Sequence, residues 1–266
     1  MPAPKAYKLY RNAVKENLVP YFANWLPGTP QQLGNYGTMK DGVFVTIGNI
    51  KDDFGIDFEI AVDPATDNME FNAGGEVSVS YDTSVDANGV AQGSLKLQFK
   101  REKSVYFQTV GARANRIKNK LAVGEAILQG MKNGTINWKR RYVLVTDIVT
   151  GGRTVAAVSA EAGATIEFKA KGGIPASQIQ VDGSVGLSVN TSSKVGYTVN
   201  GQSMDILLGL SKVRRRFFNP TFEGISGAST RTHISMLEDT PESEAAEPLE
   251  NLTFGQLSGA ELTSEE

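Results

Sequence analysis

Hydrophobic residues in this chain alternate with polar ones far more often than they recur at helical spacing. From Met69 onward, Phe71, Ala73, Val77, Val79 and Tyr81 fall on one face and Asn72, Glu76, Ser78 and Ser80 on the other. A period of two is the pattern of a half-buried strand. After turn residues at 86–89 the alternation resumes, with Leu95, Leu97 and Phe99 opposite Ser94, Lys96, Gln98 and Lys100, and it continues through Val105 and Phe107. Residues 69–109 therefore read as a long hairpin. A second alternating region runs from Ala162, Ala164, Ile166 and Phe168 to Ile179, Val181, Val185, Leu187 and Val189, then past 192–193 into Val195, Tyr197 and Val199. Its polar face carries Gln178, Gln180, Asp182, Ser184, Ser188 and Asn190.

Helical spacing is confined to two stretches. Tyr7, Tyr10, Val14 and Leu18 recur among Lys5, Lys8, Arg11 and Lys15, which predicts a short basic amphipathic helix ending near Pro20. Ile117, Leu121, Gly124 and Leu128 predict a second helix over 113–130, its first half charged by Arg113, Arg116, Lys118 and Lys120 and its stop at Gly134. Between the alternating regions, residues 138–150 are apolar on both faces, as a central buried strand requires. A shorter strand is predicted at 43–47, between turns at 40–42 and 48–49. The fold class that follows is α+β and β-rich: a twisted antiparallel sheet with long hairpins, a basic N-terminal helix and one central helix. It occupies residues 1–218, and residues 219–266 read as an acidic linker and tail, disordered or autoinhibitory.

Charge sharpens this division. The 266 residues carry a net charge of -2, but residues 217–266 hold ten acidic side chains and one basic, a local charge of -9 that leaves +7 on the body. A basic body with an acidic tail is the arrangement in which the tail either aids solubility or shields a phosphate-binding surface until displaced. Phe217, Phe218, Phe222 and Leu237 are the apolar residues expected to dock such a tail, because charge alone is screened beyond about 8 Å at physiological salt. The 28 glycines fit a turn-rich β protein better than a helical bundle.

Candidate chemistry is sparse. With no cysteine, disulfides, thiolate metal sites and cysteine nucleophiles are excluded, and a cytoplasmic location is the expectation. The opening residues lack an apolar core and are not read as a secretory signal. Glycine-rich phosphate loops and a nucleophile-elbow motif do not occur. The single histidine, His233, falls in the tail. Asp52, Asp53, Asp57 and Glu59 cluster in sequence, but they alternate with Ile56, Phe58 and Ile60 and read as the solvated face of an edge strand. No catalytic residue, metal or cofactor is therefore expected. What remains is binding. Lys139, Arg140 and Arg141, with Arg113, Arg116, Lys118 and Lys120, are the candidate phosphate contacts, and Trp138 and Tyr142 beside them suit a membrane interface or, second to it, nucleic-acid stacking.

The order of a basic helix, a long hairpin, a helix, a buried strand and a second long hairpin, with Arg141-Tyr-Val-Leu-Val-Thr-Asp-Ile-Val149 as its local echo, resembles the pore-forming domain of gasdermins. The resemblance implies an autoinhibited cytoplasmic monomer that an activating protease releases. It would then move to the inner face of the plasma membrane and assemble with copies of itself on anionic lipid, in cell-death defence against phage. The N-terminal cysteine that carries a lipid in bacterial members is missing here. A soluble, non-enzymatic β-rich binding or scaffolding module explains the same alternation and stays open.

These two readings differ at residues 178–190. In a membrane strand Val181, Val185, Leu187 and Val189 face lipid, so Val185→Arg costs about 2–4 kcal/mol per subunit at mid-bilayer. The variant is expected to fold but no longer to release dye from liposomes, with Ser184→Arg tolerated. In a soluble sheet Val185→Arg unfolds the monomer instead, which a melting curve detects.

Overall fold

Along the chain of the computed structural model, a helix α1 (Ala3–Asn17) is followed by β1 (Phe22–Ala23), the hairpin β2 (Asn35–Lys40) and β3 (Val43–Asn49), and a short helix α2 (Ile50–Phe54). Strands β4 (Ile60–Val62), β5 (Asp67–Ala73), β6 (Val77–Val85), β7 (Ala91–Phe99) and β8 (Val105–Ile117) lead to α3 (Lys120–Lys132). Then come β9 (Val143–Ser159), β10 (Thr165–Ala170), β11 (Leu187–Thr191), β12 (Val195–Arg215) and β13 (Leu252–Gln256). The structure describes residues 3–64, 67–85, 91–170, 187–191, 195–215 and 252–256. The class is α+β, and every strand pairing described is antiparallel.

Strand β9 is buried on both faces and has a neighbour on each side. On one side it pairs with β12 from Ser159↔Val195 to Val143↔Lys212. On the other it pairs with β8 from Val158↔Val105 to Asp147↔Arg116, and with β2 at Leu144 and Val143. Strands β4 and β5 extend the sheet beyond β8, β3 beyond β2, and β1 and β13 beyond β12. The ladder between β8 and β9 is interrupted where Gly111 takes φ of 68° beside Gly152. A Cβ on Gly152 would lie 2.6 Å from the Val110 carbonyl oxygen, so the two strands approach at a distance that no other residue allows.

Helix α1 forms as the sequence predicts, with Ala6, Tyr10, Ala13 and Val14 as its buried stripe. The stripe packs on Phe71, Phe107, Ala156 and Val158 of the sheet. Tyr10 and Phe107 are 6.2 Å apart between ring centroids, and Phe107 stacks on Phe71 at 5.1 Å. The loop after β1 is pinned to β12. Asn24 donates to the carbonyls of Thr29 and Asp205 at 2.7 and 2.8 Å, and the Asp205 carboxylate accepts from Thr150 Oγ1 and Gln31 N.

The other face of the same strands, through Tyr106, Val155 and Ala157, packs on a second sheet ordered β11-β10-β7-β6. That smaller sheet buries Val77, Leu95, Leu97, Phe99, Ile166 and Phe168 and turns Ser78, Ser80, Lys96 and Gln98 to solvent. A third cluster lies beneath α3, where Val123 and Ile127 meet Ile117, Leu144, Ile148 and Leu210.

Several predicted elements are redrawn. The hairpin expected over 69–109 is two nested pairs, β5 with β8 outside and β6 with β7 inside, because the chain changes sheets at Gly74-Gly75, where Gly74 has φ of 78°. The helix expected over 113–130 begins at Lys120. Strand β8 keeps Arg113, Arg116 and Ile117, while Leu121 is 71% exposed and the buried face is set by Val123, Gly124, Ile127 and Gly130. The edge strand expected around Asp52 and Asp53 is instead helix α2, capped by the Asn49 side chain and stopped by Gly55 in the left-handed conformation. The buried strand begins at Val143, later than residue 138, and runs on to Ser159. Within the segment read as a tail, residues 252–256 form β13. Val181 and Val185 lie outside the described residues, as do Phe217, Phe218, Phe222 and Leu237, whereas Leu187 and Val189 lie on β11 in register with Ala170 and Phe168.

Phe107 joins α1 to the sheet and is fully buried. Phe107→Ala is expected to lower unfolding free energy by about 3–5 kcal/mol. Gln98→Ala, on the exposed face of β7, should stay within about 0.5 kcal/mol of the parent. Urea denaturation of both variants checks the contrast.

Candidate functional site

Asn119 separates β8 from α3. Its Oδ1 accepts from the Ala122 backbone at 3.1 Å, so the helix starts one residue later and the cations around it fall on different elements. Arg116 Nη2 lies 3.3 Å from Asp63 Oδ2, and Lys118 Nζ lies 2.7 Å from Glu59 Oε2. Their hydrogen bond holds the Glu59 carboxyl below the usual carboxylate range and the Lys118 ammonium above the usual lysine value. Arg113 is exposed on β8, in register with Thr150.

Lys120 serves a different purpose from the one predicted. Its Nζ lies 2.5 Å from Asp147 Oδ2, with the two side chains 29% and 7% exposed. Asp147 also accepts from Thr146 Oγ1 at 2.9 Å, and that hydroxyl lies 3.3 Å from Ser211 Oγ and from the Gly209 carbonyl. Gly209 makes the space, since a Cβ there would sit 2.4 Å from Asp147 Oδ2. The first residue of α3 is thereby tied to β9 and β12 through a largely buried ion pair, which leaves Lys120 no charge to offer a membrane. The nearby Tyr21 hydroxyl is pushed above its ordinary value, first by burial and then by the Asp147 carboxylate.

Lys139, Arg140 and Arg141 are all exposed at the start of β9. Trp138 is not available beside them. It is 5% exposed and packs with Tyr36, Phe54 and Tyr142 at centroid distances of 5.4, 6.2 and 5.7 Å. Burial, reinforced by the Asp53 carboxylate, pushes the Tyr36 hydroxyl up to about 12. A base-stacking platform needs an open ring face, and Trp138 has none to give.

The basic turn is continued by the neighbouring strand. Val143 of β9 is in register with Lys212 of β12, and Arg214 and Arg215 follow on that strand. Along its outer edge runs β13, with Lys212↔Gly255, Arg214↔Thr253 and Arg215↔Leu252. The same strand lies against α3. The segment read as a tail therefore returns to the most basic part of the body. The sequence held a faint signal for this contact in the alternation of Leu252 and Phe254 among Thr and Gly, which an acidic, aperiodic context hid.

A groove of about 740 Å³ separates residues 56–59 from the first turns of α3. It is walled by Ile56, Phe58, Ala122 and Val123, and its charges are already engaged, Asp57 with Lys51 at 3.0 Å and Glu59 with Lys118. Among the described residues, no cluster of three or more His, Asp or Glu is placed to hold a metal ion, and no helix is long and apolar enough to cross a membrane. No protein-family model matches the chain, and no curated protein matches it.

Lys120→Glu and Arg141→Glu should part company. Reversing Lys120 leaves Asp147 buried beside a second anion and is expected to cost about 3–5 kcal/mol. Reversing Arg141 should change stability by less than about 0.5 kcal/mol. Thermal melts of the two variants separate the structural cation from the surface one.

Proposed function

We propose that this protein is an autoinhibited pore-forming protein whose basic end binds anionic membranes once its C-terminal strand is removed, and that it then assembles with copies of itself. The single observation that carries the reading is the pairing of β13 with the outer edge of β12. One five-residue strand from the acidic segment pairs with Lys212, Arg214 and Arg215 of β12, which separates it from β9 and the turn bearing Lys139, Arg140 and Arg141. A strand added at an edge is held by backbone hydrogen bonds that form without distorting the rest of the sheet, so it can also leave without unfolding it.

Two further features support the reading. The smaller sheet has one apolar and one polar face, the property a membrane β-strand requires, and β7 and β10 have the side chains for it in Leu95, Leu97, Ile166 and Phe168. Release of residues 217–266 takes the net charge from -2 to +7, which strengthens the attraction to anionic lipid. In this reading the protein does no covalent chemistry. Its partners are anionic lipid, its own copies and an activating protease acting between β12 and β13, and it moves from the cytoplasm to the inner face of the plasma membrane.

Dye release from liposomes of anionic lipid tests the proposal directly. The full-length chain is expected to leave liposomes intact, and a chain ending near Arg216 should empty them. Reversing Lys139, Arg140 and Arg141 together should abolish vesicle binding while the fold persists, because each basic residue contributes about 1 kcal/mol near an anionic surface. A truncated chain that stays folded and releases nothing overturns the pore and leaves the soluble binding module.

A further inference from the structure

The outer edge of β12 is shared, end to end, by two strands. β13 runs along it from Leu252↔Arg215 to Gln256↔Ser211, and β1 follows in the same direction with Phe22↔Leu208 and Ala23↔Leu207. Only Gly209 and Leu210 separate the two stretches. β1 is therefore a wall: a strand in the place of β13 can slide two residues towards it at most before meeting Phe22. Val213, the register partner of Phe254, is buried in the cluster beneath α3, and α3 itself lies against β13. Facing positions of an antiparallel pair share one side of the sheet, so position 254 falls on the side that α3 covers.

We propose that the edge of β12 at residues 211–215 is a peptide-binding slot whose ligand, the segment Leu252-Thr-Phe-Gly-Gln256, is exchangeable, so that the chain's own copy gives way to the same segment offered as a free peptide. Strand addition at an edge draws affinity from backbone pairing and specificity from alternate side chains. Here β1 limits the register, and the ligand brings an aromatic residue opposite Val213 and a glycine opposite Lys212. A five-residue strand gives up its own conformational freedom on docking, so as a free molecule it binds weakly. Covalent connection makes up the difference. Arg215 and Leu252 are in register with residues 216–251 between them, and a tether of this kind delivers its end at an effective concentration in the millimolar range. One cut anywhere in 216–251 removes that advantage without touching either strand, and at micromolar concentration the cut fragment then leaves.

Exchange in this slot needs neither lipid nor assembly. It is a property of the chain in solution, and it stands or fails apart from the pore reading.

Fluorescence anisotropy with a labelled synthetic peptide of residues 249–258 is the test. The protein is the full-length chain with one recognition site for a sequence-specific protease inserted within 216–251, measured before and after cutting. The intact chain should take up the peptide only as its concentration nears that of the tethered strand, and the cut chain should bind it at least about tenfold more tightly. Gel filtration of the cut chain should show its own C-terminal fragment separated from the body, while far-UV circular dichroism keeps the strand signal. A peptide carrying Thr253→Pro and Phe254→Pro should not bind, because successive amides point to opposite sides of a strand and one of the two lost donors must face β12. A fragment that stays on the body after dilution overturns the proposal, as does a peptide that binds neither form or both forms equally. So does a proline peptide that binds like the parent, or a body that unfolds when the fragment leaves.

Discussion

The ladder that β9 shares with β12 and β8 is the constraint on which the remaining structure depends. A strand with neighbours on both sides and layers on both faces must bury nearly every side chain it carries, and residues 143–149 and 153–159 are all buried. Such a strand tolerates a charge only where partners are built for it. Asp147 has Lys120, Thr146 and the space left by Gly209, so the same carboxylate that interrupts the apolar run also fixes where α3 begins. Gly111, with φ of 68°, and Gly152 meet where the ladder between β8 and β9 is interrupted, while α1 covers one face of the sheet and the smaller sheet the opposite face.

Much of this could be read from residue patterns, and the failures have a common cause. Helix α1 and the alternation of β6, β7 and β10 follow from local periodicity because each buries one side of itself, and the apolar run into β9 is legible because that strand is buried on both. Periodicity says nothing about which strand is the partner. Phe71 and Val77 are in phase, yet Phe71 packs under α1 and Val77 packs between the sheets. The chain changes layers at Gly74-Gly75 without disturbing the count. The helix after β8 begins later than its periodicity predicts for a related reason. Ile117 and Leu121 are four apart, but the first ends a strand and the second faces solvent, and the Asn119 cap between them is a single polar residue.

Charged residues were harder to read than apolar ones. A run of cations looks like a surface, but whether it is one depends on acids far away in sequence. Lys118 finds Glu59, Arg116 finds Asp63 and Lys120 finds Asp147, across 59, 53 and 27 positions. None of those pairings leaves a local trace. Lys139, Arg140 and Arg141 are exposed in the turn that precedes β9. β13 could not be read for a similar reason: five residues in an acidic stretch gain their structure from the edge they join.

The smaller sheet sets the energetic terms on which any membrane role must operate. Its apolar side chains at Val77, Leu95, Leu97, Phe99, Ile166 and Phe168 are buried against the larger sheet. Exposing six such residues to water costs on the order of 10–15 kcal/mol. That is as large as the whole stability of a typical domain, about 5–15 kcal/mol. Loss of a five-residue edge strand cannot drive such a release in water by itself. The smaller sheet can leave the larger one only where lipid takes the place of the core it abandons, so removal of β13 and arrival at a bilayer have to act together. Strand pairing adds the second requirement. Among the described residues β6 and β11 are already the outer strands of the smaller sheet, and in a bilayer their unpaired backbone groups would be satisfied only by strands of neighbouring copies. Membrane contact and self-assembly are, on these terms, a single coupled step.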